Sequence, residues 1–103
     1  MLDHLNSQLS AQSAASAPLI LEQKAVKRCH IYLPDTPKPV SAILYKGQFY
    51  SYVKFFPSSE AAQRAAERLI LRGNPVILTR IAKGLVLWVL ELEAQWPKAH
   101  SVK

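Results

Sequence analysis

The sequence is poor in cysteine, glycine and acidic residues. Its 103 residues include one cysteine, three glycines and seven Asp and Glu, against thirteen Lys and Arg. The single cysteine, Cys29, excludes an internal disulfide and favours a reducing compartment. Three glycines leave no glycine-rich loop that would cradle a phosphate. No apolar run reaches the roughly 18 residues that a membrane-spanning helix needs, so we expect no direct membrane insertion.

The remaining composition fits one folded domain. Half of the residues are apolar, which is enough for a hydrophobic core at this length. Residues 1–18 contain no Lys or Arg, and they lack the apolar stretch of a secretory signal. We predict a flexible N-terminal arm over residues 1–18, a single domain over residues 19–96 and a polar C-terminal tail over residues 97–103. Three leucines of the arm share a helical stripe, so a short helix that folds onto a partner is the alternative.

Five strands are predicted from period-two alternation of apolar and polar residues, with turn residues between them. They cover residues 24–33, 40–45, 48–56, 76–81 and 85–92. Lys46-Gly47 is a compact hairpin signal, because glycine accepts a positive φ. The last strand is apolar on both faces, which predicts a central position or cover on both sides.

One helix of about 14 residues is predicted after Pro57, with Arg72 in its last turn. The Pro-Ser-Ser sequence from Pro57 ends the preceding strand and offers a hydroxyl N-cap. Apolar residues recur on one stripe, and three of them are alanines, which allows the helix to lie close to a sheet. Gly73 or Asn74 supplies a left-handed C-cap, and Pro75 stops the helix.

The expected fold class is therefore α+β. It has two layers, in which a four- to five-stranded, mainly antiparallel sheet packs on one helix in the order β-β-β-α-β-β. Because one helix covers only one face of such a sheet, the other face needs a partner, the N-terminal arm, a loop or a second copy of the chain.

Strict alternation along residues 48–56 predicts which side chains lie on that outer face. It turns Phe49, Val53 and Phe55 toward the helix. The residues predicted to point away are Tyr50, Tyr52, Lys54 and Phe56, joined by Tyr32 and Arg80. An aromatic and basic face of this kind is typical of a binding surface. We accordingly expect Tyr50 and Tyr52 to be more exposed than Phe49 and Val53.

Catalysis finds little support in the sequence. Cys29 and His30 are neighbours in a predicted strand and point to opposite faces, so they cannot form a Cys–His dyad there. Scattered histidines and one cysteine do not make a zinc site. Glu91 and Glu93 share a face of the last predicted strand, where we interpret them as solubilising or ion-pairing residues rather than an acid/base pair. The sequence predicts no catalytic residue, no cofactor and no metal, and so a protein that is not an enzyme.

Positive charge is concentrated in the middle of the chain. From Lys24 to Lys83 there are eleven cationic residues and only three acidic ones. Such a field attracts acidic partners and is screened by salt. On the predicted helix, Arg64, Arg68 and Arg72 form a row that is either a solvated face or a docking stripe for an anionic surface.

Residues 50–93 resemble the small accessory proteins of cyanobacterial photosynthetic complexes. The stretch reads YSYVKFFPSSEAAQRAAERLILRGNPVILTRIAKGLVLWVLELE and covers less than half of the chain. It is similar to the peripheral V subunit of the photosynthetic NADH-dehydrogenase-like complex and, as a second choice, to the small linker domain of phycobilisome rods. The first resemblance implies a cytoplasmic-side subunit, peripheral to a membrane complex, near the docking place of the acidic electron donor ferredoxin. It carries no site residues over to this chain.

The basic charge and the uncovered sheet face favour a small, basic, non-catalytic accessory or docking subunit of a larger complex that helps recruit an acidic protein. The resemblance implies that the complex belongs to photosynthetic electron transport and that the acidic protein is ferredoxin. The predicted partner-binding residues are Tyr32, Tyr50, Tyr52, Lys54, Arg64, Arg68, Arg72, Arg80 and Lys83. The alternative is a domain that binds RNA or single-stranded nucleic acid on the aromatic-basic face, although an RNP-type signature is missing. A cell-envelope binding module is a third hypothesis, against which the absent export signal counts.

Overall fold

The computed structural model describes residues 18–96. Its elements are β1 (Leu19–Glu22), a 3₁₀ turn (Gln23–Ala25), β2 (Lys27–Ile31), β3 (Val40–Tyr45), β4 (Gln48–Phe56), α1 (Ser59–Leu71), β5 (Val76–Ile81) and β6 (Gly84–Leu90). The predicted arm, apart from Pro18, and the predicted tail lie outside the described residues. None of the helices in the described part combines the length and the apolar character needed to cross a membrane.

The predicted α+β class is confirmed, with one more strand than expected. α1 packs against a six-stranded sheet of order β1-β5-β6-β4-β3-β2. The β1–β5 pair is parallel and all other pairs are antiparallel. The added strand is β1, whose four residues are too few to show an alternation. The predicted strand over residues 24–33 starts later, at Lys27, because the 3₁₀ turn occupies its beginning.

The connection between β1 and β2 forces the sheet to curl. These two strands are the opposite edges of the sheet, yet only residues 23–26 separate them. A flat sheet of six strands is about 24 Å wide at about 4.8 Å per strand spacing. Five Cα-to-Cα steps span at most about 18 Å. The edges must therefore approach each other, and the sheet acquires a convex face and a concave face.

The predicted caps of α1 are confirmed. The Ser58 hydroxyl oxygen accepts a hydrogen bond from the Ala61 N–H at 3.3 Å. At the other end, Gly73 has a φ of 91°, and its N–H donates to the Ile70 carbonyl at 2.9 Å. Both ends of the helix thus satisfy backbone groups that would otherwise lack partners.

α1 covers the convex face and forms the first core there. Ala62 and Ala66 are fully buried against the sheet. The buried strand residues of this cluster are Val76, Leu78, Leu85 and Leu87. Because alanine projects only a methyl group, the helix backbone lies close to β5 and β6, as the alanine stripe predicts.

A second core fills the concave face, around Trp88. The indole is 1% exposed, and its Nε1–H donates to the Thr79 hydroxyl at 2.8 Å. That hydroxyl donates in turn to Oε1 of Gln23 at 2.7 Å. The other buried members of this cluster are Ile43, Tyr50, Ile77 and Val86. Since Gln23 belongs to the β1–β2 connection, this hydrogen-bond chain ties the connection to the concave core. β6 is thus covered on both faces, as its sequence predicts.

A β-bulge at Val53 reverses the facing of the second half of β4. The register passes from Tyr52 opposite Trp88 to Lys54 opposite Leu87, so Lys54 lies on the convex face. Phe55 packs into the concave core and Phe56 into the convex core. The prediction for these three residues is therefore wrong, because one inserted residue interrupts the alternation.

The Trp88 hydrogen-bond chain leads to a stability prediction for Thr79→Val. Valine matches threonine in shape but leaves the indole N–H and Gln23 Oε1 without their shared partner, so we expect a loss of about 2 to 3 kcal/mol. Urea unfolding followed by tryptophan fluorescence measures it. Thr79→Ser keeps the hydroxyl and is the control. Equal stability of the two variants would contradict the role of the hydroxyl.

A second prediction concerns the start of β6. A Cβ on Gly84 would overlap the Phe56 carbonyl oxygen and lie 2.9 Å from Cα of Pro57. We expect Gly84→Ala to destabilise the fold by about 3 kcal/mol or more, because the clashing atoms of Phe56 and Pro57 belong to the backbone and cannot move aside without distorting the strand. Gly47, with a φ of 79° and open space around it, is the matched position. Gly47→Ala should lower the free energy of unfolding by about 1 kcal/mol. Thermal unfolding that shows Gly47→Ala to be less stable than Gly84→Ala would refute the packing argument.

Candidate docking surface

Every cationic residue of the described part is exposed. Residues 18–96 contain eleven Lys and Arg and six Asp and Glu, and all eleven cationic side chains reach solvent. Within this part of the chain, the only ion pair joins Arg80 Nε to Glu22 Oε2 at 3.3 Å. The other ten cations therefore have no acidic partner among the described residues.

The predicted helix row is present on the surface. Arg64, Arg68 and Arg72 are exposed and follow one another at intervals of four residues. The first two belong to α1 and the third is its C-cap. Glu60 and Glu67 are also exposed on the helix, but neither forms an ion pair with a described residue.

The expected aromatic face does not exist in the predicted form. Tyr50 does lie on the face away from α1, but it is only 9% exposed. Phe49 is more exposed than Tyr50, and Tyr52 at 48% barely exceeds Val53 at 41%. The expectation of an open tyrosine pair is wrong for Tyr50, because curling of the sheet turns the concave face into a core.

The remaining predicted site residues are dispersed. Arg80, opposite Leu85 in the register, lies on the convex face with its partner Glu22. Lys83 is in the β5–β6 turn, and Lys54 Nζ is 5.4 Å from the Phe56 ring centroid. These cations and Tyr52 therefore do not share one sheet face.

Tyr32 lies apart from them, where β2 meets the end of the described chain. Its backbone N–H donates to the Gln95 carbonyl at 2.8 Å, and the Gln95 N–H donates back at 3.0 Å. Its side chain is half-buried. The pair fixes the residues after β6 against the end of β2.

The structure does bring together a group that the predicted site leaves out. The Arg28 guanidinium carbon is 5.5 Å from the centroid of the Trp88 ring, and its Nη2 donates to the Ser41 hydroxyl at 3.0 Å. The Tyr52 ring meets Trp88 edge-on, with centroids 5.9 Å apart. We call Arg28, Ser41, Tyr52 and Trp88 the Arg28 platform. Alternation along β2 places Arg28 and Cys29 on opposite faces of the strand, and the sequence shows this much. Only curling of the sheet brings the Arg28 side chain to Trp88.

Cys29 and His30, the candidate catalytic pair, do not approach each other in the structure. Cys29 lies opposite Ala42 and His30 opposite Ser41 in the register, so their side chains leave opposite faces of β2. Burial raises the pKa of the Cys29 thiol, and the charges of Lys27 and Arg28 partly offset this. Among residues 18–96, no three His, Cys, Asp or Glu side chains are grouped so as to hold a metal ion.

Glu91 and Glu93 lie beyond the end of β6 at Leu90 rather than within a strand. The Ser51 hydroxyl donates to Glu91 Oε2 at 2.7 Å, and the Glu91 N–H donates to the Phe49 carbonyl at 2.8 Å. Glu91 is thus held by hydrogen bonds at the end of the strand. Neither glutamate has a cationic partner in the described residues.

The environment of Tyr50 predicts a pH dependence of stability. Burial, and then the nearby Tyr45 phenol, raises the pKa of Tyr50 above its ordinary value. The neutral phenol therefore stabilises the fold fully below the unfolded pKa of about 10, and this contribution is lost as the pH rises through the folded pKa. Tyr50→Phe should lose less unfolding free energy between about pH 9 and pH 11 than the wild type. If urea titrations show that the two proteins lose equal unfolding free energy over this pH range, the role of Tyr50 is ruled out.

Comparison of the chain with protein-family models, with curated proteins and with solved structures found no match.

Proposed function

We propose that this chain is a small, basic, non-catalytic docking subunit that sits on a larger complex and helps to recruit an acidic protein, with ferredoxin as the candidate. The observation that carries the proposal is the set of eleven exposed cations with one ion pair among the described residues. Because the others are not neutralised locally, their field extends into solvent. Such a field accelerates encounter with an acidic protein.

One surface on α1 supports a protein partner in particular. Leu71 is 79% exposed and begins a stretch of exposed residues that runs to Pro75. Arg64 is seven residues away and shares its side of the helix. The exposed Leu71 side chain gives a protein partner apolar area to bury on α1. Arg64 and Arg68 beside it can pair with carboxylates of that partner, and the one acid among these neighbours is Glu67.

The setting in photosynthetic electron transport is also part of the proposal. Its support is the resemblance of residues 50–93 to the peripheral V subunit of the NADH-dehydrogenase-like complex. On that basis we place the chain on the cytoplasmic side, peripheral to the membrane complex. In this role the chain positions other proteins and needs no redox group of its own.

Binding of RNA or single-stranded DNA is the second candidate function. The observation that favours it is that Tyr52 and Arg28 both lie against the Trp88 ring, with the Tyr52 side chain half exposed. A base can stack on an exposed tyrosine while a cation holds its phosphate. Tyr50 and Trp88, on the same face, are buried and offer no stacking surface.

The docking proposal predicts how the helix row acts on kinetics. In stopped-flow or surface-binding measurements with purified ferredoxin, binding should be strong at about 0.02 M salt and largely lost at about 0.5 M. Replacing Arg64, Arg68 and Arg72 together by Gln should lower the association rate constant about tenfold at low salt, because distant charges act through steering.

The control uses the same helix with the opposite change of charge. Replacing Glu60 and Glu67 by Gln should raise the association rate constant. A wild-type protein that binds ferredoxin at neither salt concentration, or whose association is insensitive to both sets of changes, would contradict the proposed function.

A further inference from the structure

We propose that the Arg28 platform is the anchor of this docking, at which a carboxylate of the acidic partner is held. The inference rests on the proposed function and identifies the residue that dominates it. Arg28 is exposed and has no ion-pair partner among the described residues. Its guanidinium is therefore available to a carboxylate from outside.

The guanidinium of Arg28 is already held in place. Its Nη2 is bonded to the Ser41 hydroxyl, and its cationic carbon faces the Trp88 ring. By contrast, Arg64, Arg68 and Arg72 make no side-chain hydrogen bond or ring contact with described residues. A fixed arginine loses less conformational entropy on binding, and its remaining N–H groups match a carboxylate bidentately.

The floor beneath Arg28 is rigid. Trp88 is buried, and its N–H is held by the Thr79–Gln23 hydrogen bonds. Tyr52 borders the same indole and is half exposed. Arg28 and Tyr52, exposed on this rigid floor, belong to residue types that dominate binding energy at protein interfaces.

The chain around Arg28 is uniformly positive or neutral. Residues 23–34 contain no Asp or Glu, and the exposed Lys24 and Lys27 precede Arg28 along the chain. The nearest acidic residue before them, Glu22, is paired with Arg80. A partner carboxylate therefore meets no competing acid from this segment.

The same surface favours an acidic protein over a nucleic acid. Single-stranded nucleic acids are bound by stacking successive bases on separate aromatic rings. Tyr52 is the one aromatic residue of the platform with an open ring, since Trp88 is covered and neighbouring Tyr50 is buried. The Tyr52 ring alone can pack beside a carboxylate bound to Arg28, but the platform offers no second ring on which the next base could stack.

The experiment compares Arg28→Met with Arg68→Met, using purified ferredoxin as the probe. Both variants lose one charge and keep a long apolar stem, so they differ in position only. We expect Arg28→Met to raise the dissociation rate constant about tenfold, as loss of an anchor does. Arg68→Met should lower the association rate constant about twofold and leave dissociation nearly unchanged. Near-ultraviolet circular dichroism checks that each variant keeps the packing around Trp88.

Ser41→Ala tests the role of positioning without a change of charge. It releases the guanidinium and should raise the dissociation rate constant about threefold. Equal effects of the Met variants on dissociation would overturn the anchor while leaving the general basic attraction intact. A wild type that fails to bind ferredoxin at low salt would remove the proposed function itself. Displacement of ferredoxin by oligo(dT), with oligo(dT) affinity lost in Tyr52→Ala, would overturn the carboxylate anchor in favour of nucleic acid.

Discussion

The buried N–H of Trp88 is the constraint on which the remaining structure depends. An indole taken out of water needs a hydrogen-bond acceptor, and Thr79 on the neighbouring strand supplies it. Thr79 then donates to Gln23 in the connection between the two sheet edges. One chain of hydrogen bonds therefore satisfies the indole N–H and holds the connection that makes the sheet curl.

Curling distributes the exposed cationic residues over two faces of the molecule. The convex face carries α1 and its arginine row, whereas the rim of the concave face carries Arg28 and Tyr52 around the buried Trp88. In our proposal, the helix cations act mainly through the long-range field, and Arg28 acts by direct contact.

Local chemistry was enough to predict α1, the hairpins and the α+β class. Ser58, Gly73 and the alanine stripe act within the helix and on the face next to it, so their effect is visible in a few consecutive residues. Alternation correctly predicted which sheet face each side chain of β4 lies on only as far as Tyr52. The bulge at Val53 follows from pairing with β6, and no pattern within residues 48–56 announces it.

The sequence by itself determined the excess of positive charge, the helix after Pro57 and the strongly apolar last strand, because composition and short-range periodicity encode them. Only the tertiary structure decided that Tyr50 is buried and that Arg28 lies over Trp88. These two outcomes depend on curling, which brings β2 near β6 although two strands separate them in the sheet order. Contacts between distant strands arise from the path of the whole chain, and that path leaves no local signature.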